Sequence, residues 1–352
     1  MTAKRKSIFI GATLVVTITL LNLTNDKNYF SSLFAIEVKD KALLTCINKT
    51  LLDSENKSTP LTELTCEDKG IVTLEGLEQY TGLISLDLTA NPIENATAIS
   101  ALQQLEALKI SKTRFSDLTP ISGLTRLKQL SFSQVKVQLA PNDFNKLAGL
   151  TNLEYLYLVA NDIVELGFLA NMSNLKKLNL SLNRALKLES MPDLPNLHWL
   201  AAGFTGVSSL DGISHLNRLK NISFHKNIIT DISPLRSLVN LEDIWLTDNN
   251  IEDLSPLSEM VHLKALNLAY NQVSDIKPLK NLKSIKFVQL NKNKVNDLTP
   301  LAGFNEMISL SVDNNNLDCG DYDWAKNNIS GSIYMSSTCD RATPSLYMRK
   351  GN

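Results

Sequence analysis

Apolar residues recur along most of this chain with a period of 22 residues. Ten of the eleven intervals between successive units are 22 residues, and the interval from Leu130 to Leu156 is 26. A fixed period of this length is typical of a solenoid, in which each unit packs only against its neighbours. The sequence therefore predicts twelve stacked units around one continuous core, with first apolar positions at Leu64, Leu86, Leu108, Leu130, Leu156, Leu178, Leu200, Ile222, Ile244, Leu266, Val288 and Leu310.

Each unit begins with a predicted strand. The segment LKALNLAYN at 263–271 shows the pattern L-x-x-L-x-L-x-x-N, in which apolar and polar residues alternate as in a strand with one buried face. Because an amide both donates and accepts hydrogen bonds, we expect a buried Asn column to satisfy backbone groups where each strand turns. Thr113 and Thr205 offer a hydroxyl at the same place in two units, and eight units carry the amide, at Asn91, Asn161, Asn183, Asn227, Asn249, Asn271, Asn293 and Asn315.

The second half of several units carries an Asp followed three residues later by Pro. Asp can cap a short helical turn and Pro is tolerated in its first turn, so these segments predict 3₁₀ turns. The motif begins at Asp117, Asp231, Asp253, Asp275 and Asp297.

Taken together, over about residues 36 to 320, these motifs resemble the leucine-rich repeat family. The closest likeness is to its 22-residue class, found in bacterial internalin-like surface proteins and in the phosphatase regulator SDS22. The resemblance implies an α/β solenoid, a right-handed superhelix with one parallel β-sheet on the concave face and mostly 3₁₀ helices and turns on the convex face. The long unit between Leu130 and Leu156, with its segment at 141–150, carries either a tolerated loop insertion or a partner-binding bump.

The flanking segments predict a terminal unit on each side of the repeats. Lys4-Arg5-Lys6 precedes an apolar run at 8–23, which indicates a signal peptide or an N-terminal anchor over 1–35. Asp40 precedes apolar residues at helical spacing, and residues 36–63 resemble the helical N-terminal cap of internalin-like repeats. Residues 64–318 form the repeats and 319–352 the C-terminal cap, in which Trp324 is expected to cover the last turn.

The four cysteines fall two in each predicted cap and none between. With the caps many repeats apart, we predict the bridges Cys46–Cys66 and Cys319–Cys339. Four reduced thiols in a cytosolic protein remain the alternative.

Composition and motifs give little support for chemistry. The formal net charge is −1, so no basic excess points to nucleic acid. The four histidines lie in separate repeats, and neither a nucleophile elbow, a phosphate-binding loop nor metal-ligand spacing occurs in the sequence. We expect no catalytic residue, cofactor or metal.

Outward-facing positions of the predicted sheet carry an unusual number of rings through the middle of the array. Exposed aromatic patches mark binding surfaces, although rings can also stack as lateral ladders that stabilise the sheet. The predicted partner-binding residues, expected to form one patch, are Tyr155, Tyr157, Trp199, Phe204, His225, Trp245, Tyr270 and Phe287.

These observations predict an exported, monomeric, non-catalytic module that binds a protein through its concave face. The resemblance to internalin-like proteins implies a host or cell-surface protein as one class of partner. The location follows as periplasmic, cell-surface or secreted, with the N-terminal segment as the one contact with a membrane. Two alternatives stay open, namely a carbohydrate-binding surface protein and an intracellular phosphatase regulator similar to SDS22.

Overall fold

The protein is described by a computed structural model that covers residues 6–7, 17–18, 37–53, 60–133, 139 and 143–335. The chain divides into two compact units, Met1–Glu37 and Val38–Asn352. In the first unit, strands β1 (Lys6–Ser7) and β2 (Thr17–Ile18) pair antiparallel. Most of the predicted signal peptide or anchor lies outside the described residues. Among the described residues, none of the helices has the length and apolar character needed to cross a bilayer.

The second unit is built on one parallel sheet in which each strand pairs with the one before it. The first twelve strands are centred on the twelve predicted apolar positions, and all twelve of these side chains are buried. The 22-residue period therefore predicted the register correctly, and the predicted solenoid fold is confirmed. The strands are β3 (Glu63–Thr65), β4 (Ser85–Asp87), β5 (Ala107–Lys109), β6 (Gln129–Ser131), β7 (Tyr155–Tyr157), β8 (Lys177–Asn179), β9 (Trp199–Ala201), β10 (Asn221–Ser223), β11 (Asp243–Trp245), β12 (Ala265–Asn267), β13 (Phe287–Gln289), β14 (Ser309–Ser311) and β15 (Ser332–Tyr334).

Strand β15 extends the sheet into the region predicted as the C-terminal cap. Its central residue, Ile333, pairs with Leu310 on β14. The two central positions are 23 residues apart rather than 22, because an α-helix replaces the usual return segment. The domain boundaries themselves stay a prediction.

Return segments between the strands are short helices, mostly 3₁₀, as predicted. The Asp of each motif accepts a hydrogen bond from the backbone N–H two residues later, as in Asp231 with Ser233 at 2.7 Å. The copy that begins at Asp117 leads instead into a short α-helix, α2 (Thr119–Ser122). The 3₁₀ helices are Leu77–Gln79, Thr97–Ala101, Asp143–Leu147, Gly167–Leu169, Leu188–Ser190, Asp211–Ile213, Ser233–Ser237, Ser255–Leu257, Lys277–Asn281 and Thr299–Leu301.

The predicted Asn column forms a hydrogen-bonded ladder through the solenoid. Asn249 is typical: its amide donates to the carbonyls of Phe224 and Leu246, both at 3.0 Å, and its oxygen accepts from the Ile229 N–H at 3.0 Å. Each amide thus joins its own turn to the preceding one. Asn161 is the exception in the described part of the chain, because its buried Oδ1 atom has no hydrogen-bond partner there. It follows the long unit, and residues 134–138 and 140–142 of that unit lie outside the described residues.

Asp40 joins the N-terminal helix α1 (Lys41–Asp53) to the first repeat. One carboxylate oxygen accepts from the N–H groups of Ala42 and Leu43, and the other from those of Val72 and Thr73. Partial burial on its own would raise the pKa of Asp40, but these four backbone donors hold it below its usual value. The carboxylate therefore caps the helix and fixes it to the repeats.

The predicted Cys46–Cys66 disulfide is present and links α1 to the residue after β3. Cys319 is also disulfide-bonded. Its predicted partner Cys339 lies outside the described residues, so the pairing Cys319–Cys339 stays a prediction.

At the other end, helix α3 (Cys319–Asn328) covers the last repeat. Asp318 caps this helix in a reciprocal capping box with Asp321. Tyr322 and Ala325 are the helix residues buried in the core. Trp324, predicted to cover the last turn, packs against that core only half-buried. Helical spacing explains the difference, because residues three apart share a face and Trp324 lies between them.

Candidate ligand-binding surface

Just beyond eleven of the strands, a residue in left-handed conformation turns the backbone away from the sheet. Its φ angle lies between 52° and 64° in eleven units, although none of these residues is Gly. In two units the residue is aromatic, Phe204 and Tyr270, both with φ of 58°. Sequence reasoning missed this turn, since large side chains rarely adopt positive φ. The eleven residues are Asp68, Ala90, Lys112, Ala160, Leu182, Phe204, Lys226, Asp248, Tyr270, Lys292 and Asn314.

The predicted ring-bearing residues lie outside the core, either within the strands or, for Phe204, His225 and Tyr270, just beyond the end of a strand. The most exposed side chains are Phe204 at 40%, Trp245 at 45%, Tyr270 at 46% and Phe287 at 45%. The others are half-buried, namely Tyr155, Tyr157, Trp199 and His225.

The rings divide into two groups along the sheet. Tyr155 and Tyr157 lie on β7, and strand β8 with Lys177 and Asn179 separates them from Trp199 on β9. The Lys177 ammonium lies 5.9 Å from the centre of the Tyr155 ring. The remaining six residues lie on or next to β9–β13, and we call this second group the aromatic cluster.

Within the aromatic cluster, the described residues show one direct ring–ring contact. His225 meets Phe204 edge to face, with ring centres 5.3 Å apart. The other rings are spaced by polar residues, such as Asn221, which bonds to Asp243 between Trp199 and Phe287. The predicted alternative of a continuous stacked ladder is therefore not the arrangement found between these strands.

His225 is held by a small residue in the turn of the preceding unit, after β9. Its ring lies over Gly203, where an added Cβ would come within 2.3 Å of the imidazole Cε1 atom. Its Nδ1 atom shares a hydrogen bond with the Ser223 hydroxyl at 3.1 Å. Burial, and then the charge of Lys226, lower the pKa of His225. The imidazole is therefore a neutral, oriented polar group at one edge of the cluster.

Replacing Gly203 with Ala is expected to displace the His225 ring, because the new methyl group would occupy its position. Loss of burial should then raise the pKa of His225 toward its ordinary value, measurable by NMR titration of the imidazole carbons. Gly123→Ala is the matched control, since a Cβ there meets nothing within 4 Å. An unchanged His225 titration in G203A would contradict the packing described here.

Cations line one edge of the aromatic cluster. The Lys226 ammonium lies 4.9 Å from the centre of the Phe204 ring, and that of Lys292 lies 4.4 Å from Tyr270. Cations at this distance are attracted to the ring face. The two exposed rings are thus held at their left-handed turns by neighbouring lysines.

A second surface, missed by sequence reasoning, runs along one side of the sheet. We call it the flank, formed by residues two and four positions before each strand centre. On it Glu242 accepts from Lys220 at 2.7 Å and from Lys264 at 2.5 Å. Hydrogen bonds from Lys220 and Lys264 lower the pKa of Glu242 to about 2. The signal in the sequence is the same 22-residue spacing, applied to charged rather than apolar positions.

The flank also carries a second amide ladder. Each amide donates to a backbone carbonyl of the preceding unit, 23 or 27 residues earlier, at 2.8–3.1 Å. This ladder joins successive turns at the flank positions that lie four residues before each strand centre. Its members are Asn152, Asn174, Asn196 and Asn240. Among the described residues, no group of three side chains could hold a metal ion.

Comparison with known proteins agrees with this architecture. The family model for leucine-rich repeats in two copies matches residues 217–259 and 261–303. An internalin, InlF, from Listeria monocytogenes superposes with a TM-score of 0.76 at 25% identity, over 85% of this chain and 91% of that one. A search among curated proteins found no match.

Two more distant structures show the same fold. A leucine-rich repeat protein of Leptospira interrogans gives a TM-score of 0.70 at 21% identity, over 78% of this chain and 72% of that one. The ectodomain of the Arabidopsis thaliana receptor kinase GASSHO1/SCHENGEN3 gives 0.59 at 20% identity, over 70% and 32%. With its repeats, its parallel sheet and its likeness to InlF, the chain has the fold of leucine-rich repeat proteins and is similar to an internalin.

Proposed function

We propose that this protein is an exported, non-catalytic interaction module that binds a protein partner with the aromatic cluster of its concave face. The observation that carries the proposal is the exposure of Trp245, Tyr270 and Phe287, each 45–46% accessible on a sheet whose other face is fully buried. Large rings left in water on a rigid scaffold are the side chains that most often dominate protein–protein binding.

The scaffold suits this use because the rings are placed by the sheet rather than by mobile loops. Trp245 and Phe287 lie within strands β11 and β13, and Tyr270 lies in the turn after β12. Neighbouring strands are about 4.8 Å apart, so the three side chains lie on consecutive rungs. Because the sheet already fixes these three rings, binding a partner costs little conformational entropy on this surface.

Two further observations support the proposal. The plant ectodomain with this fold was determined in complex with Casparian strip integrity factor 2, so the scaffold is compatible with ligand binding. The Cys46–Cys66 disulfide fits an oxidising compartment, because such bonds are rare in the cytosol. The latter observation favours export.

Trp245→Ala combined with Tyr270→Ala is expected to abolish partner capture with an unchanged melting curve. A photo-crosslinker placed at Gln289 on β13 would capture the partner from surface proteins in wild type. Loss of the Trp245 and Tyr270 rings should weaken binding at least about thirtyfold. The Tyr157→Ala variant tests whether the β7 rings belong to the same surface.

Ile228→Ala is the matched control, since Ile228 is apolar and 55% exposed but lies beyond the turn after β10. Equal loss in the control and the aromatic variant, or a lower melting temperature with intact capture, would overturn the proposal. Binding of neutral glycans to the same rings without any protein partner would replace it with the carbohydrate-binding alternative.

A further inference from the structure

The flank contains an open groove of about 530 Å³ beside strands β9–β13, away from the aromatic cluster. We propose that this groove binds a linear acidic polysaccharide, whose sulfate or carboxylate groups are held by Arg218, Lys220 and Lys264. The inference is independent of the concave-face proposal. The groove is lined by His198, Arg218, Lys220, Asn240, Glu242, His262, Lys264 and Ser284.

The side chains that line this groove have a net positive charge, unlike the whole chain. Its lining carries three cations and one carboxylate, whereas the whole chain has a formal net charge of −1. The side chains of Lys220 and Lys264 are 52% and 55% exposed, and that of Glu242 is 24% exposed. The positive groups therefore face the solvent more than the negative one does.

The sheet sets the spacing of these cations. Lys220 and Lys264 occupy the same position two units apart, so their backbones lie about 10 Å apart. Their ammonium groups converge on the Glu242 carboxylate that lies between them. Arg218 is oriented because one terminal nitrogen donates to Asn196 Oδ1 at 3.0 Å. A guanidinium has five N–H donors, so most remain for an anion. The three cations therefore form one positive patch in the groove, which matches a polymer with many acidic groups.

The remaining lining groups favour a polysaccharide over a nucleic acid. Asn240, Ser284 and two imidazoles offer hydrogen bonds to hydroxyl groups, and the lining residues include no Phe, Tyr or Trp. Single-stranded nucleic acids are usually held by aromatic rings on which the bases stack. The disulfide in the same chain also fits a compartment where acidic glycans occur.

Glu242 acts as an internal competitor for the ligand. Its carboxylate accepts hydrogen bonds from both lysines, so an incoming anion must share or replace it. Removing this charge should strengthen binding, which a purely structural role of the lysines would not predict.

The test is calorimetric titration of the full chain with a short heparin oligosaccharide, its desulfated counterpart and a single-stranded oligonucleotide. Arg218→Ala/Lys220→Ala should weaken heparin binding at least about tenfold, because two charge-assisted hydrogen bonds are lost. Glu242→Gln should strengthen it several-fold. Binding should fall with rising salt.

The flank itself provides the control. Arg126 and Lys128 occupy the equivalent positions four units earlier and pair with Glu106. Arg126→Ala/Lys128→Ala and Glu106→Gln should each change affinity less than twofold, as should Trp245→Ala. Thermal melts confirm that each variant folds.

Three outcomes would overturn the inference. They are equal weakening by the two double variants, unchanged or weaker binding in E242Q, and binding of the oligonucleotide as tight as that of heparin. The desulfated counterpart shows whether sulfate or carboxylate groups are held. Because Trp245→Ala separates the two surfaces, failure of either proposal leaves the other standing.

Discussion

Asn249→Leu is expected to lower the free energy of unfolding by about 3–6 kcal/mol, because it leaves two or three buried backbone groups without partners. The amide is 5% exposed and joins the carbonyls of Phe224 and Leu246 to the N–H of Ile229. Leu has similar volume but offers neither donor nor acceptor. Urea unfolding measures the loss.

Asn250→Leu is the control for this variant. Asn250 is the next residue and is exposed, so its replacement should cost less than about 0.5 kcal/mol. Hydrogen exchange measures the local effect, because the Ile229 amide should lose its protection from exchange in N249L. Equal stability of the two variants would show that the ladder contributes little.

Cys46→Ala combined with Cys66→Ala is expected to destabilise the N-terminal end by about 3 kcal/mol, because the bond closes a loop of about 20 residues. In a solenoid each unit is stabilised by its neighbours, so the effect should be local. Hydrogen exchange should accelerate in α1 and β3 and stay unchanged in β10–β13.

Asn48→Ala serves as the control, because Asn48 is an exposed residue of the same helix. Its exchange pattern should match wild type. Uniform acceleration along the whole array in the cysteine variant would contradict the locality argument and indicate one cooperative folding unit.

The regular features of the fold could be predicted because each depends on residues of a fixed type. Leu266 and its equivalents lie at strand centres because apolar alternation specifies a buried face. Asn271 takes its predicted role because few other side chains can both donate and accept at a buried turn. Asp253 accepts from the Ser255 N–H for the same local reason.

Features that depend on tertiary contacts could not be predicted. The positive φ of Tyr270 runs against the preference of the side chain and is imposed by the repeat. Strand β15 was missed because Ile333 lies outside the 22-residue register. The packing of His225 over Gly203 joins residues of different units, and neither residue alone indicates it.

The site was predicted in part for similar reasons. Alternation explains the outward position of Trp199, Trp245 and Phe287 within their strands, whereas Phe204 and Tyr270 lie in the turns after β9 and β12. The separation of Tyr155 and Tyr157 from Trp199 by Lys177 and Asn179 depends on which rungs lack rings. The flank was missed because the repeat was defined by its apolar residues alone. The same 22-residue spacing also relates Glu242 to Lys220 and Lys264.

The ladder of buried amides has a consequence for how such a chain can change length. Most of these amides join residues 20 and 25 positions earlier, as Asn249 and Asn271 do. Gain or loss of one whole 22-residue coil would leave every donor opposite an equivalent acceptor, whereas loss of a few residues would not. The ladder therefore stays intact when the protein is lengthened or shortened in steps of one complete coil, and each step would also shift the rings and cations of its outer surfaces by one rung.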